Sequence, residues 1–474
     1  MSLTNRVGLL AGATTLALSG ASFAETPATT NDAAMKEIAA LKAELDQIKA
    51  QQGNNWLTEQ RASEIRSLVQ DVLSDADSRA SLQSSGMTAG WDKGFFLASP
   101  DGNFKLRING QIQFRYVMND RNPDENNAPP GADTDHWRDG FENRRTKLIF
   151  TGNVIDKTWT YKVQGNFSRG TSVGGTSVDN SSGTFTLEDA WIQKDFDNGI
   201  YTRFGQYKAP WMREELVSSS RQLAVERSLL DQKYGQTYTQ GISLGYQSDQ
   251  FRAEAMYGDG IGKGANSFWG PGSQNTAWQV PTTEWAATAR AEYMIAGEWK
   301  QFDDFTSWNG EPFGLMVGAA INWQRAEYGL PAVIPQSVGQ QLAATADISA
   351  EFGGANLYGA FLWANSDVDS ETNNGTANQF GFLVQGGVFV IPDKCELFAR
   401  YEWADTDNAT PENLSVLTGG VNWYFAKHAS KITVDLGFTF DGFDNSFANS
   451  SAGWLNNYGS KQEYVLRAQF QLLF

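Results

Sequence analysis

Two hydrophobic periods divide the chain. From Ala34 to Ile48 the apolar residues Ala34, Ile38, Leu41, Leu45 and Ile48 recur in steps of four and three, with Lys36, Glu37, Lys42 and Glu44 beside them. This two-heptad seam predicts a helix able to enter a coiled coil. A second helix is expected from Thr58, a plausible N-cap, to Leu82, with Ile65, Leu68, Val72 and Ala76 on one side. Beyond Gly90 the period falls to two. Phe104, Leu106, Ile108, Gly110, Ile112, Phe114, Tyr116 and Met118 share one face, and Lys105, Arg107, Asn109, Gln111, Gln113 and Arg115 the other. A strand this long is unusual in soluble sheets, and its polar face suits a watery lumen.

Alternating segments then continue near 145–154, 159–168, 185–196, 200–206, 238–246, 251–257 and 285–296. The second half adds 315–325, 342–352, 356–363, 380–390, 396–404, 415–425, 432–441 and 462–474, which makes sixteen. Connectors alternate between short and long, as the two rims of a membrane barrel require. Residues 155–158, 197–199, 247–250, 353–355, 392–394 and 426–431 are short, whereas 119–140, 170–183, 258–283 and 445–461 are long. One connector, 297–312, falls on the short side yet is long. Both the N-terminal arm and the C-terminus fall on the short-turn, periplasmic side. In the last segment Tyr464, Leu466, Ala468, Phe470, Leu472 and Phe474 share one face, with Arg467, Gln469 and Gln471 opposite. A terminal aromatic after such alternation resembles the signal by which outer-membrane barrels are recognised for insertion. The fold class expected is all-β: a sixteen-stranded antiparallel transmembrane β-barrel with an N-terminal α-helical, coiled-coil periplasmic segment.

One stretch interrupts the alternation. Gly205 to Leu230, GQYKAPWMREELVSSSRQLAVERSLL, leaves a strand at a proline and turns helix-like and charge-dense, with Arg213, Glu214, Glu215, Arg221, Glu226 and Arg227. It belongs to the third long connector, on the outer rim, free to fold back into the lumen as a constriction. Wall positions Arg107, Arg115, Arg145 and Arg203 are expected to oppose it. Predicted inward cations crowd the first half; Glu254, Glu292, Asp347, Glu351, Glu396, Glu402, Asp435 and Asp441 place most inward acids in the second. A transverse field across the lumen is therefore expected, suited to small ions and zwitterions.

Composition supports the membrane reading. Mean hydropathy of -0.42 looks soluble, but barrel strands are only half apolar, so a polar average does not exclude the membrane. No run of 18 apolar residues argues for a transmembrane helix. Aromatics at 13%, with 16 Trp and 29 Phe, fit interfacial girdles, and Trp159, Trp285, Trp323, Trp403 and Trp423 are expected as anchors. Arg6, the apolar core Val7 to Leu18 and the small-x-small site Ser22-Phe23-Ala24 read as an export leader over residues 1–24. A helical arm over 25–90 and a barrel over 91–474 follow. The formal charge of -17 argues against nucleic acid as a partner, and Cys395 alone makes no internal disulfide.

Catalytic chemistry finds little footing. His136 and His428 are the only histidines, and neither sits by a nucleophile in a strand frame. The acids Asp120, Asp124, Glu125, Asp133, Asp135 and Asp139 match no calcium-loop spacing and suit a solvated rim that divalent ions could bridge to lipopolysaccharide. No cofactor or metal site is expected.

The segment Phe204-Gly205-Gln206-Tyr207-Lys208-Ala209-Pro210, then Glu215, Ser218-Ser219 and Glu226-Arg227-Ser228-Leu229, resembles the core of the phosphate-selective porin O and P family. Leu106 to Gly110, Arg144-Arg145, Leu187 to Trp191, Gly420 to Phe425 and Arg467 to Gln469 add to it. The resemblance implies a sixteen-stranded trimeric outer-membrane porin, set among lipid and lipopolysaccharide, whose third loop narrows the channel. Residues 327–339 of the fifth long loop contain no Lys or Arg, a departure from the family's phosphate specialists. The expected function is passive diffusion of small hydrophilic solutes and ions. An anion or phosphate-selective channel, and a mainly structural trimer, are the alternatives.

Overall fold

A computed structural model describes residues 30–52, 63, 65–72, 86–122, 136–168, 185–262, 268–269, 274–277, 283–328, 337–370, 375–407, 413–455 and 462–474. The chain divides into two units, residues 1–84 and 85–474. In the first, α1 (Thr30–Gln52) covers the heptad seam and extends it at both ends. Met35, Ile38, Leu41 and Ile48 lie exposed along it. Residues 65–72 are helical, with Ile65, Leu68 and Val72 exposed. Most of the remaining expectation for a second helix lies outside the described residues, as do the leader and residues 123–135 of the first loop.

The second unit opens with a short hairpin, β1 (Thr88–Trp91) and β2 (Phe95–Ala98), in a place where no strand was expected. Sixteen strands follow: β3 (Lys105–Arg121), β4 (Trp137–Asn153), β5 (Trp159–Asn166), β6 (Thr186–Asp195), β7 (Ile200–Lys208), β8 (Tyr238–Gln247), β9 (Phe251–Gly258) and β10 (Thr283–Ala296) in the first half. The second half holds β11 (Gly314–Tyr328), β12 (Ser337–Glu351), β13 (Ala355–Ser370), β14 (Gly375–Ile391), β15 (Cys395–Asp405), β16 (Leu414–Ala426), β17 (Ser430–Thr439) and β18 (Glu463–Leu473). Each pairs antiparallel with the next, and β18 pairs with β3 to close the ring. Every expected segment coincides with a strand. Closure leaves no free edge, the condition for backbone amides to survive in hydrocarbon.

Alternation sorts the wall. Ile112, Phe114, Tyr464, Phe470 and Leu472 point outward and stay exposed, whereas Gln111, Gln113, Arg115, Arg467, Gln469 and Gln471 point inward and are buried. Trp323 and Trp423 are exposed outside, and Trp285 meets Trp323 edge-to-face. Register shifts break the alternation at several places, two of them beside the third loop and the open wall. Gln113 pairs with Arg145 but Phe114 with Asn143, so Arg144 is an extra residue in β4. Gln164 pairs with Asp189 but Gly165 with Leu187, so Glu188 is extra in β6. An extra residue resets the period, so two neighbours can turn to one face.

The long connector on the short-turn side is genuine. Ala296 pairs with Leu315, so β10 and β11 are neighbours and the count of sixteen stands. Between them Phe302, Phe305 and Trp308 are buried inside the barrel.

The seam closes on an aromatic notch. Gly110 and Phe474 exchange backbone hydrogen bonds of 2.6 and 3.0 Å. A Cβ at Gly110 would run into the Phe474 ring. Gly110→Val must displace that ring, at about 1–3 kcal/mol. The temperature at which the detergent-solubilised protein loses its heat-modifiable electrophoretic mobility is expected to fall; an unchanged temperature would mean the notch does not hold the seam.

Candidate permeation pathway

The chain leaves β7 at Lys208 because the local sequence cannot continue a ladder. Pro210 has no N–H to give. Gly205, at φ +121°, adopts a backbone that side-chain-bearing residues avoid, and a Cβ there would collide with the Ala190 carbonyl. Two short helices follow, α2 (Arg213–Leu216) and α3 (Leu229–Tyr234), the latter capped by Ser228 Oγ accepting from Asp231 N at 2.9 Å. The loop carries its own apolar core. Trp211, Met212, Leu223, Leu229 and Leu230 are buried, and the indoles of Trp211 and Trp269 both donate to the Tyr234 carbonyl.

This core docks on the inward face of the second half of the barrel. Asp435 accepts from Val225 N at 2.8 Å and Glu402 from Leu230 N at 3.1 Å. Asn422, Arg400 and Lys431 donate to the carbonyls of Leu223, Glu226 and Gln222 at 2.8–3.0 Å. Gln113 and Gln471 reach Ser219 and Ser220. Two acids expected to face the water, Glu402 and Asp435, instead hold loop amides. The transverse field expected across the open lumen therefore falls largely across a filled half.

The charged residues of the loop separate into distinct roles. Glu226, fully buried, meets Arg115 at 2.7 Å, Arg144 at 2.7 Å and Arg145 at 2.8 Å. Burial alone would raise its carboxyl, but Arg144, Arg145 and Arg115 hold it well below the usual carboxylate range. Glu214 accepts from Ser228 N and Oγ and lies 3.5 Å from Arg400. Glu215 sits between Lys208 at 2.9 Å and Arg227 at 3.5 Å. Arg213 donates to Ser349 Oγ at 2.9 Å and to the Phe302 carbonyl at 2.7 Å. Arg221 is 3.4 Å from Asp303, with 42% of its side chain exposed.

Among the wall residues expected to oppose the loop, Arg115 and Arg145 do so. Arg203 lies elsewhere on the open wall, 3.4 Å from Glu254 and over the rings of Trp191 and Tyr207. Arg107 is not opposite the loop: it is 2.6 Å from Asp92 in the β1–β2 hairpin. Alternation alone missed Arg144, Glu188 and Asp189. The bulges turn both members of the doublets Arg144-Arg145 and Glu188-Asp189 inward, where Lys147 meets Glu188 at 2.6 Å and Lys162 meets Asp189 at 2.7 Å. Two adjacent charges within a membrane strand were the available signal, since a strict period of two would push one into lipid.

The connector after β10 enters the same space from the periplasmic end. Phe305 N donates to the Arg221 carbonyl at 3.3 Å, and Thr306 Oγ1 lies 3.1 Å from Tyr424 Oη. His428 packs between Trp308 and Tyr424, 3.2 Å from Asp304; its burial pushes the imidazole down to about 4, so it is neutral at physiological pH. From the outer end, Arg115, Arg467 and Asn119 grip the carbonyls of Ser451, Ala452 and Gly453 in the last long loop. Among the described residues, a cavity of about 930 Å³ lies open against β3–β8, lined among others by Arg144, Lys147, Lys162, Arg203, Lys208 and Arg221.

Breaking a buried ion pair by removing one partner costs about 3–5 kcal/mol, so Glu226→Gln is expected to lower thermal stability at neutral pH and raise single-channel conductance as the loop loosens. The folded pKa of Glu226 lies below its unfolded value of about 4.3. Its stabilisation is thus present above that value and lost as pH falls through the folded one. Melting curves should show an acid loss in the wild type that shrinks in the variant; parallel pH profiles would contradict the clamp.

Solved structures of the same architecture include the anion-selective porin from Comamonas acidovorans, at 14% identity and a TM-score of 0.52, covering 78% of this chain and 99% of that one. The outer membrane channel DcaP of Acinetobacter baumannii, at 14% identity and a TM-score of 0.48, covers 80% and 99%. Salmonella typhi OmpF, at 12% and 0.48, covers 81% and 100%. At 14% identity the likeness to the Comamonas acidovorans porin is one of fold. No curated protein sequence matches the chain. The family model described as phosphate-selective porin O and P matches residues 120–471, nearly the whole barrel; the chain belongs to that family and is a diffusion porin of the bacterial outer membrane.

Proposed function

We propose that the pore is narrowest where the third loop meets β3–β8, and that it passes small hydrophilic solutes with a modest preference for anions. One observation carries this reading: among the described residues, the open cavity is lined by nine Lys and Arg residues against three Asp and Glu residues and the chain-terminal Phe474. Pairing tempers the excess. Lys147, Lys162, Lys208 and Arg203 each have a carboxylate within 3.4 Å. Paired cations bias the passage of ions without forming a tight anion site, which fits a general pore better than a phosphate specialist. The structural relative from Comamonas acidovorans is described as anion-selective, in keeping with this sign.

Of the residues singled out in the third loop, Arg221 is the best placed to act on passing ions. Arg213, Glu214 and Glu226 act through the loop's position. Arg115 and Arg145 share that second role, and Arg203 belongs to the open wall. Arg107 is assigned to the periplasmic end. The exposed seam of α1 supports a homotrimer associated through helical stalks, with the acidic first loop meeting lipopolysaccharide.

Single-channel reversal potentials in a salt gradient test the reading. A unit charge about 4 Å from an ion in water acts with about 1 kcal/mol, a factor of roughly five in occupancy. Lys162→Ala and Arg203→Ala are each expected to lower the anion-to-cation ratio by up to that factor, whereas Arg213→Ala should lower thermal stability with little change of ratio. Conductance should rise near-linearly with phosphate concentration; saturation at low phosphate would replace this reading with a specific site.

A further inference from the structure

The β1–β2 hairpin occupies a defined place in the pore. Toward the periplasmic end β3 continues past its partner: β18 pairs with it as far as Gln111, and the backbone exchange with Phe474 ends at Gly110. Below that point β2 takes over the same edge, with Phe95 opposite Ile108 and Ala98 opposite Lys105. An edge that would otherwise present unpaired amides is thereby covered.

The tip of the hairpin is turned inward and fixed there. Lys93 has φ +52° and Gly94 φ +145°. A Cβ on Gly94 would collide with the side chain of Asn109, which donates to the Lys93 carbonyl at 2.6 Å. Asn109 is an inward residue of β3. Asp92 meets Lys105 at 3.1 Å and Arg107 at 2.6 Å, so two cations expected on the open wall are engaged at the rim. Both lower the Asp92 carboxyl through these hydrogen bonds, which keeps it ionised. Lys93 is exposed and, among the described residues, makes no ion pair; with Trp91 it lines the same cavity as Arg144, Lys147 and Arg203.

We propose that the hairpin is the periplasmic lip of the pore, with Lys93 as a specificity-determining charge for small anions and Gly94 and Asn109 as the lock that positions it. The proposal rests on the anion preference argued above, but the two can fail separately. Asp92 offsets one of the two wall charges of Lys105 and Arg107 nearest the mouth, and the ammonium of Lys93, without an ion pair among the described residues, adds a further unit of positive charge to the local field there. Because the rim is open to solvent, screening weakens its reach.

The test uses the full-length protein inserted in one orientation in planar bilayers. Lys93→Glu is expected to lower the anion-to-cation permeability ratio by about two- to fivefold and to change the current–voltage asymmetry. Lys157→Glu, in an exposed periplasmic turn, serves as the control and should do neither. Lys93→Cys gives a measurement on protein already folded: an anionic methanethiosulfonate added from the periplasmic side should reduce conductance and shift the reversal potential toward cations. The native Cys395 is buried, so wild type given the same reagent should not respond. Asn109→Ala should shrink the effect of Lys93→Glu by freeing the tip. Thiol modification without any change in current, or equal effects of Lys93→Glu and Lys157→Glu, would overturn the lip. A wild-type reversal potential without anion preference would overturn the earlier reading alone, because Lys93→Glu must then still shift the pore toward cations.

Discussion

Glu226 is the one carboxylate on which the arrangement of the lumen depends. It has no exposed side-chain surface, and three guanidinium groups from two strands converge on it. A buried charge without partners would be prohibitive, and three arginines without a carboxylate would repel each other into the water column. Each side makes the other tolerable. The carboxylate sits on the loop and the arginines on β3 and β4, so satisfying the charges also fixes the loop across the barrel. The bulge at Arg144 lets β4 supply two of the three arginines from adjacent positions.

The remaining loop contacts follow from a second constraint, that backbone groups withdrawn from water need partners. A loop folded into a lumen cannot pair with itself as a strand does. Its amides and carbonyls therefore turn to wall side chains: Asp435, Glu402, Asn422, Arg400 and Lys431. This explains why the second half of the wall is rich in polar groups that never reach the open path. The periplasmic connector obeys the same logic, lending carbonyls to Arg213 and burying Phe302, Phe305 and Trp308. Loop and connector enter from opposite ends and meet, leaving the water to one side.

Much of the barrel was legible because membrane strands leave only one degree of freedom, the face. Phe114 out and Arg115 in follow from alternation, and the outer-membrane compartment from the aromatic end at Phe474. The inward third loop was legible from the helix-like, charged stretch after Pro210. What alternation could not supply was anything that breaks it. Arg144 and Glu188 became inward residues through bulges, and nothing in a period of two predicts a bulge except the doublets themselves. The hairpin at 88–98 escaped because each of its strands is only four residues long, too short for a period to register. The fate of the acids was illegible for a different reason. Inward is not the same as wetted, and only the position of the loop decides which inward carboxylates meet water and which meet amides.

That distinction governs selectivity. A count of charges over the whole wall gives a divided lumen, basic on one side and acidic on the other. Removing the acids that hold the loop, and the arginines that hold those acids, leaves a smaller set on the open path. Arg467 is paired with Asp435 at 2.6 Å and Arg290 with Asp347 at 2.8 Å, both fully within the filled half. Each arginine sits beside an opposite charge, so at the water column the pair acts close to a dipole. The open side keeps Lys147, Lys162, Arg203 and Lys208, and the carboxylate partners of the three lysines, Glu188, Asp189 and Glu215, line the same cavity. A passing ion there competes with fixed partners instead of meeting bare charge. On the proposed reading, such a pore is biased in sign yet spared the deep binding well that would slow transit.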